Sequence, residues 1–180
     1  MPPGRIVPAP PLRVGTLDLV RTPGQLTAVV RTSGRPIWRL KTDSYVDKAQ
    51  KTGNGTLLLQ SYISGALMSG SNYLVDVTTG KVLWHNVGII QYTDLRFIVS
   101  QSSASLYENY SFDPIYSVFN LHTLKEKSIS LHYAARVRCE FPVNGEHKFQ
   151  FSTVQLNGRL ITLRFVDVCG QYFKTYFWNA

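Results

Sequence analysis

Helical periodicity is nearly missing from this chain of 180 residues, while short period-two stretches follow one another almost to its end. They run Gln25–Val30, Pro36–Leu40, Thr56–Tyr62, Asn72–Val77, Val82–His85, Gly88–Tyr92 and Arg96–Ser100. They continue through Ser105–Tyr110, Ile115–Leu121, Lys127–Tyr133, Ala135–Phe141, His147–Leu156, Arg159–Val168 and Tyr172–Trp178. These stretches are rich in Val, Ile, Tyr, Phe and Thr and are divided by Gly, Asn, Ser and Asp, the residue types that suit pleated sheets and tight turns respectively. The best helical candidate is Val46 to Lys51, which stops at Gly53-Asn54-Gly55. The expectation is an all-β, antiparallel domain.

Composition agrees with one packed core. Apolar residues make up 44% of the chain and charged residues 17%, which excludes intrinsic disorder. No apolar run reaches the ~18 residues of a helical membrane span, so a membrane is not the expected partner. The first fifteen residues contain five prolines within Met1 to Pro11 and read as an extended lead-in, with a single all-β domain over 16–180. That start holds no apolar segment of secretory type, which makes the cytoplasm the default expectation. Cys139 and Cys169 lie in phase with apolar neighbours and are expected as buried free thiols rather than a disulfide framework. The last strand, Tyr172–Trp178, is aromatic on both alternating faces and is expected to dock rather than dangle.

The strands also repeat. Thr32-Ser33-Gly34-Arg35-Pro36-Ile37-Trp38 returns as Thr78-Thr79-Gly80-Lys81-Val82-Leu83-Trp84, offset by 46 residues at Gly and at Trp. Both are a strand, a polar turn at Gly, a basic residue and a strand carrying Trp. A third, eroded copy spans Tyr116 to Lys125, offset by 44 when Thr123 is set on Thr79, with the Gly and Trp replaced. A fourth hairpin, Val154 to Ile161, has the same form. A strand-rich period of 40–50 residues is that of a four-stranded propeller blade.

The stretch Tyr73-Leu74-Val75-Asp76-Val77-Thr78-Thr79-Gly80-Lys81-Val82-Leu83-Trp84 resembles the blade signature of the PQQ-like and WD-like β-propeller families, over about residues 25–125. Asp76 and Gly80 fit the Asp-x-x-x-Gly turn of the PQQ-like blades, and Trp84 takes the aromatic place on the next strand. The first copy departs from this, with Val30 where Asp76 stands in the second. The resemblance implies propeller-like four-stranded blades. About fourteen strands make fewer blades than the four to eight of most closed propellers, so three architectures stay open. They are a partial propeller completed by a partner or a second copy, a small closed assembly, and a β-sandwich. The quinone dehydrogenases of the PQQ-like family use a larger, complete propeller, so the resemblance implies no cofactor here.

Motifs of catalysis and metal binding are scarce. His85, His122, His132 and His147 have no short ligand spacing, and no CxxC, HExxH or EF-hand pattern occurs. Gly65-Ala-Leu-Met-Ser-Gly70-Ser71 has the glycine spacing of a phosphate loop but places Ser where the motif needs Lys. No GxSxG elbow and no outstanding carboxylate pair are present. No catalytic, cofactor or metal residue is assigned, and the sequence identifies no reaction.

Charge carries more information. The net charge is +8, and residues 1–51 hold nine basic side chains against three acidic ones. Such a local surplus attracts an anionic partner. Arg31, Arg35, Arg39 and Lys41 flank Trp38, and Tyr172, Lys174, Tyr176 and Trp178 share one face of the last strand. These eight residues are the candidate contacts. The expected function is a non-catalytic protein-protein interaction module, binding a protein partner or itself through an open sheet edge with aromatic anchors. The alternative is a nucleic-acid-binding β domain, in which the cations track phosphates and the aromatic rings stack on bases.

Overall fold

Leu57, Leu58 and Leu59 are three successive leucines of one strand, and all three are fully buried. Successive side chains of a strand point to opposite faces, so this strand must be covered on both sides. That double burial organises the molecule. The computed structural model describes residues 9–53, 55–61, 70–102, 115–130, 150–157, 160–167 and 170–177. Within them the regular structure is all strand: β1 (Leu12–Val14), β2 (Leu17–Thr22), β3 (Gln25–Val30), β4 (Pro36–Lys41), β5 (Val46–Thr52), β6 (Thr56–Ser61) and β7 (Gly70–Asp76). Then come β8 (Val82–Thr93), β9 (Phe97–Ser102), β10 (Ile115–Asn120), β11 (Lys125–Ser130), β12 (Gln150–Asn157), β13 (Leu160–Asp167) and β14 (Gly170–Phe177).

Every pairing is antiparallel between neighbours in sequence, giving sheets in the orders β1-β2-β3-β4, β5 through β11, and β12-β13-β14. The seven-stranded sheet is two blades that share a strand. Residues 82–88 of β8 pair with β7, and residues 88–93 pair with β9. The outer strand of the second blade thus runs straight into the first strand of the third, turning at Gly88. A Cβ there would lie 2.1 Å from the Gln101 carbonyl oxygen, so only glycine fits.

Three cores stack the units face to face. Leu19, Leu26, Ala28, Trp38 and Leu40 of the first blade pack with Leu57, Leu59, Tyr73 and Val75 of the second. The opposite face of the second blade gives Leu58, Leu74 and Trp84 to a core with Ile98, Phe119 and Leu121. Phe97, Val99, Tyr116 and Val118 then meet Ile161 and Leu163 of the β12-β13-β14 sheet. Burial pushes the Tyr116 phenol up to about 12, so it stays neutral at ordinary pH. Each fully buried leucine or isoleucine contributes roughly 1.5–3 kcal/mol. These are propeller-like four-stranded blades stacked in series, three sheets on three cores rather than the two sheets of a sandwich.

Several elements differ from the sequence expectation. The helical candidate Val46–Lys51 is strand β5, because β6 offers it a full ladder from Val46 opposite Ser61 to Thr52 opposite Thr56. So short a segment does not sustain a helix nucleus without tertiary support. Strand β1 lies inside the proline-rich lead-in, where Leu12 to Val14 pair with Leu19 to Leu17. The two predicted strands Val82–His85 and Gly88–Tyr92 are the single strand β8. Strand β14 does pair along its length with β13, Leu160 opposite Phe177 and Asp167 opposite Gly170. The predicted strands Ser105–Tyr110 and Ala135–Phe141, and both cysteines, lie outside the described residues.

The hairpins that carried the 46-residue offset share the backbone bonds that close the turn and the slip in the ladder. Gly34 N donates to Val30 O at 2.8 Å and Gly80 N to Asp76 O at 2.9 Å. Both ladders slip at the same step, between Ala28 and Val29 and between Leu74 and Val75, which sets Trp38 opposite Ala28 and Trp84 opposite Leu74. The third turn keeps the bond, Leu124 N to Asn120 O at 2.9 Å, with Leu124 at φ 55°. Its Asn120 Oδ1 accepts from the amides of His122 and Thr123, as Asp76 Oδ1 accepts from Thr78 and Thr79. That ladder has no slip, and no tryptophan follows it.

The two tryptophans end differently. The Trp38 indole donates from Nε1 to Val77 O at 2.8 Å and covers the next blade's turn, where a Cβ on Gly80 would sit 2.6 Å from Trp38 Cδ2. Trp84 meets a third blade with Leu124 at the corresponding turn position. Its ring packs against Phe119 at 5.2 Å and 32°, and its buried Nε1 has no acceptor among the described residues.

Gly80→Ala therefore incurs both a left-handed backbone cost of ~1–2 kcal/mol and an overpacking cost of ~1–3 kcal/mol. Gly34 has a similar φ of 66° with nothing within 4 Å, so Gly34→Ala should lose only the first of these in urea unfolding. Equal losses at the two positions would contradict the ring contact. Leu124→Gly relieves the same backbone cost and should raise stability by about 0.5–1 kcal/mol after glycine's entropy is counted; a lowered urea midpoint would contradict it.

Candidate functional site

Among the described residues, the first blade is covered on one face only. Alternation sends Leu19, Leu26, Ala28, Trp38 and Leu40 into the core, and Val20, Ile37, Arg39 and Lys41 outward. Val20 is 44% exposed and Ile37 40%, with half-buried Thr27 and Val29 between them. Thr27 stands opposite Arg39, and Gln25 opposite Lys41. The result is a small apolar centre bordered by cations, with Arg13 exposed on the far strand.

Four of the predicted contact residues can be placed here. Arg39 and Lys41 stand side by side on β4, exposed, and no ion pair among the described residues holds either. Arg31 lies at the rim, where its Nε donates to Asp18 Oδ1 at 2.9 Å. Arg35 is exposed in the β3-β4 turn. Trp38, which the four flank in sequence, points the other way into the first core. Strand parity separates it from Arg39, and its indole N–H is already committed to Val77. The side chains of Tyr172, Lys174 and Tyr176, and all of Trp178, lie outside the description.

A polar cluster that sequence reasoning missed ties the linker between the first two blades to the second. Asp43 sits in the linker from β4 to β5. Its amide donates to the Tyr73 hydroxyl at 2.9 Å, and its Oδ2 accepts from Ser71 Oγ at 3.0 Å. His85 Nε2 lies 3.4 Å from the same Oδ2, and its ring stacks on Tyr73 with centroids 4.6 Å apart. The three partners come from positions 28 to 42 residues away, so no local spacing announces them. Both the serine and the histidine converge on the carboxylate. Ser71 gives its proton to Asp43 and not to His85, so the cluster clamps the linker and does not prepare a nucleophile.

Elsewhere, Gly70 opposite Gly88 leaves a gap in the side-chain cover of the second blade, and a hollow of about 360 Å³ lies over it, bordered by Gln60, Asn72 and Ile90. Asn72 Nδ2 is taken up by Gly88 O at 2.9 Å. Among the described residues no three His, Cys, Asp or Glu side chains come together.

No family model matches the sequence, and no curated protein matches it. Solved structures similar to the chain include BamB from Moraxella catarrhalis, at 13% identity and a TM-score of 0.44, over 91% of this chain and 46% of that one. The N-terminal domain of Nup159 is similar at 15% identity and a TM-score of 0.41, over 92% and 43%. A europium-containing methanol dehydrogenase is similar at 13% identity and a TM-score of 0.45, over 87% and 35%. The chain spans less than half the length of each of these structures.

The clamp makes stability depend on acid. Hydrogen bonding from Tyr73, then from Ser71, holds the Asp43 carboxyl below its ordinary range against the opposing effect of burial, with His85 adding to the lowering. A carboxyl depressed by folding stabilises the protein above its unfolded value and loses that contribution as pH falls through the folded one. Wild type should therefore exceed Asp43→Asn in urea midpoint at pH 6, and the gap should narrow as pH falls below the ordinary carboxylate range. A gap independent of pH would show that the carboxylate charge is not what holds the linker.

Proposed function

We propose that this chain acts as a non-catalytic protein-interaction module whose binding surface is the outer face of the first blade. The observation that carries this is the contrast between blades. The second has both faces buried in cores, while the first leaves Val20 and Ile37 exposed among cations. An apolar centre with a charged border is the anatomy of a protein interface. Base stacking would need an aromatic ring beside Arg39 and Lys41, and Trp38 is turned to the opposite face, which favours a protein over a nucleic acid. The conserved geometry of the hairpins at Gly34 and Gly80 supports reading the blades as copies of one repeat.

A photo-crosslinking amino acid placed at Val20 or at Ile37, in cells making the protein, should give discrete protein adducts. The same probe at Leu95, exposed on the turn between β8 and β9, should give none. Val20→Asp with Ile37→Asp should abolish the adducts formed by a probe at Val29 without changing the melting temperature. Equal labelling at all sites, or none at Val20 and Ile37, would contradict the proposal.

A further inference from the structure

We infer that the free edge of β4 takes an extended acidic segment of another protein as an added antiparallel strand, its two carboxylates opposite Lys41 and Arg39 and an apolar side chain opposite Ile37. This rests on the interaction-module reading and names its partner's chemistry. Strand β4 pairs with β3 on one side, and among the described residues nothing pairs with it on the other. Thr42 N donates to Gly24 O at 3.0 Å, in the same frame as Leu26 opposite Leu40 and Ala28 opposite Trp38. Bonded pairs alternate along an antiparallel ladder. Leu40 and Trp38 therefore spend their amides and carbonyls on β3, while Arg39 and Lys41 turn theirs to the open edge.

The same two residues supply the charge. Their side chains stand on the outer face beside exposed Ile37, so one residue offers both a backbone ladder and a cation to an incoming strand. Directly opposite residues on an antiparallel pair bring their side chains within reach of each other. The complementary segment accordingly reads acid, any residue, acid, any residue, apolar. Charged side chains also protect sheet edges from wrong pairing, and here they would select for carboxylates while rejecting a like edge. A second copy of this chain does not fit. Two β4 edges would set cation against cation, and the sequence contains no two acidic residues spaced by two.

The test uses the full chain and a short capped peptide with glutamate at two alternate positions, isoleucine two further on and threonine between them. It should bind about twofold to thirtyfold more tightly than its glutamine counterpart, the range for two exposed ion pairs. It should also slow hydrogen exchange at the Arg39 and Lys41 amides. Arg39→Glu with Lys41→Glu should reverse the preference toward a lysine peptide. Binding without protection of those amides would overturn strand addition, and equal affinity for the glutamine peptide would overturn the charge selection. Tighter binding of oligothymidylate than of the glutamate peptide would overturn the partner class. If the peptide fails while crosslinking at Val20 and Ile37 succeeds, the edge proposal falls and the module reading stands.

Discussion

Trp38 and Gly80 meet where there is no room for a Cβ, and the first joint of the molecule depends on that meeting. The indole comes from the outer strand of one blade and rests on the turn of the next, with its N–H bonded to Val77 O. A tryptophan buries a large apolar area but carries a donor that must be satisfied. The bare turn solves both needs, since it admits the ring and leaves a carbonyl within reach. The next joint lacks this solution. Leu124 stands where Gly80 stood, and Trp84 turns to Phe119 with no acceptor for its donor among the described residues. One substitution in a turn therefore changes how two blades are joined.

Stacking in series has a consequence for function. A blade between two others needs apolar side chains at successive positions, and β6 supplies them as Leu57-Leu58-Leu59. A blade with one face in a core needs them only at alternate positions. The first blade has that pattern, with Trp38 and Leu40 inward and Ile37, Arg39 and Lys41 outward. Its outer face carries exposed Arg39 and Lys41 beside Ile37, where the second blade carries a second buried apolar row. The proposed partner, bringing carboxylates and a small apolar side chain, matches that face. The Asp43 clamp, with Tyr73, Ser71 and His85, fixes the linker that carries this blade, so the exposed face is presented on a held element.

Much of this was legible in the sequence where one residue's neighbours decide its fate. Period-two alternation located most strands, and the 46-residue offset identified two hairpins that share turn, slip and tryptophan. Legibility failed where structure is imposed from outside. Val46–Lys51 contains good helix formers and no alternation, and only the ladder offered by β6 makes it a strand. The expected break at Asn86-Val87 is absent, and the chain continues as β8 because the glycine at 88 lets Gln101 O come close. The grouping of Arg39 and Lys41 with Trp38 followed sequence adjacency, whereas parity along β4 parts them. The Asp43 cluster joins a linker to two strands, and nothing local marks it.

The stacking of blades through the Trp38 joint is tested most directly by proton NMR of the intact chain. Gly80 Hα should be shifted far upfield by the indole ring and show strong nuclear Overhauser contacts to it, and the Trp38 indole N–H should exchange more slowly than that of Trp84. Gly80 protons at ordinary turn positions, without contacts to Trp38, would mean that the first two blades do not stack on this joint.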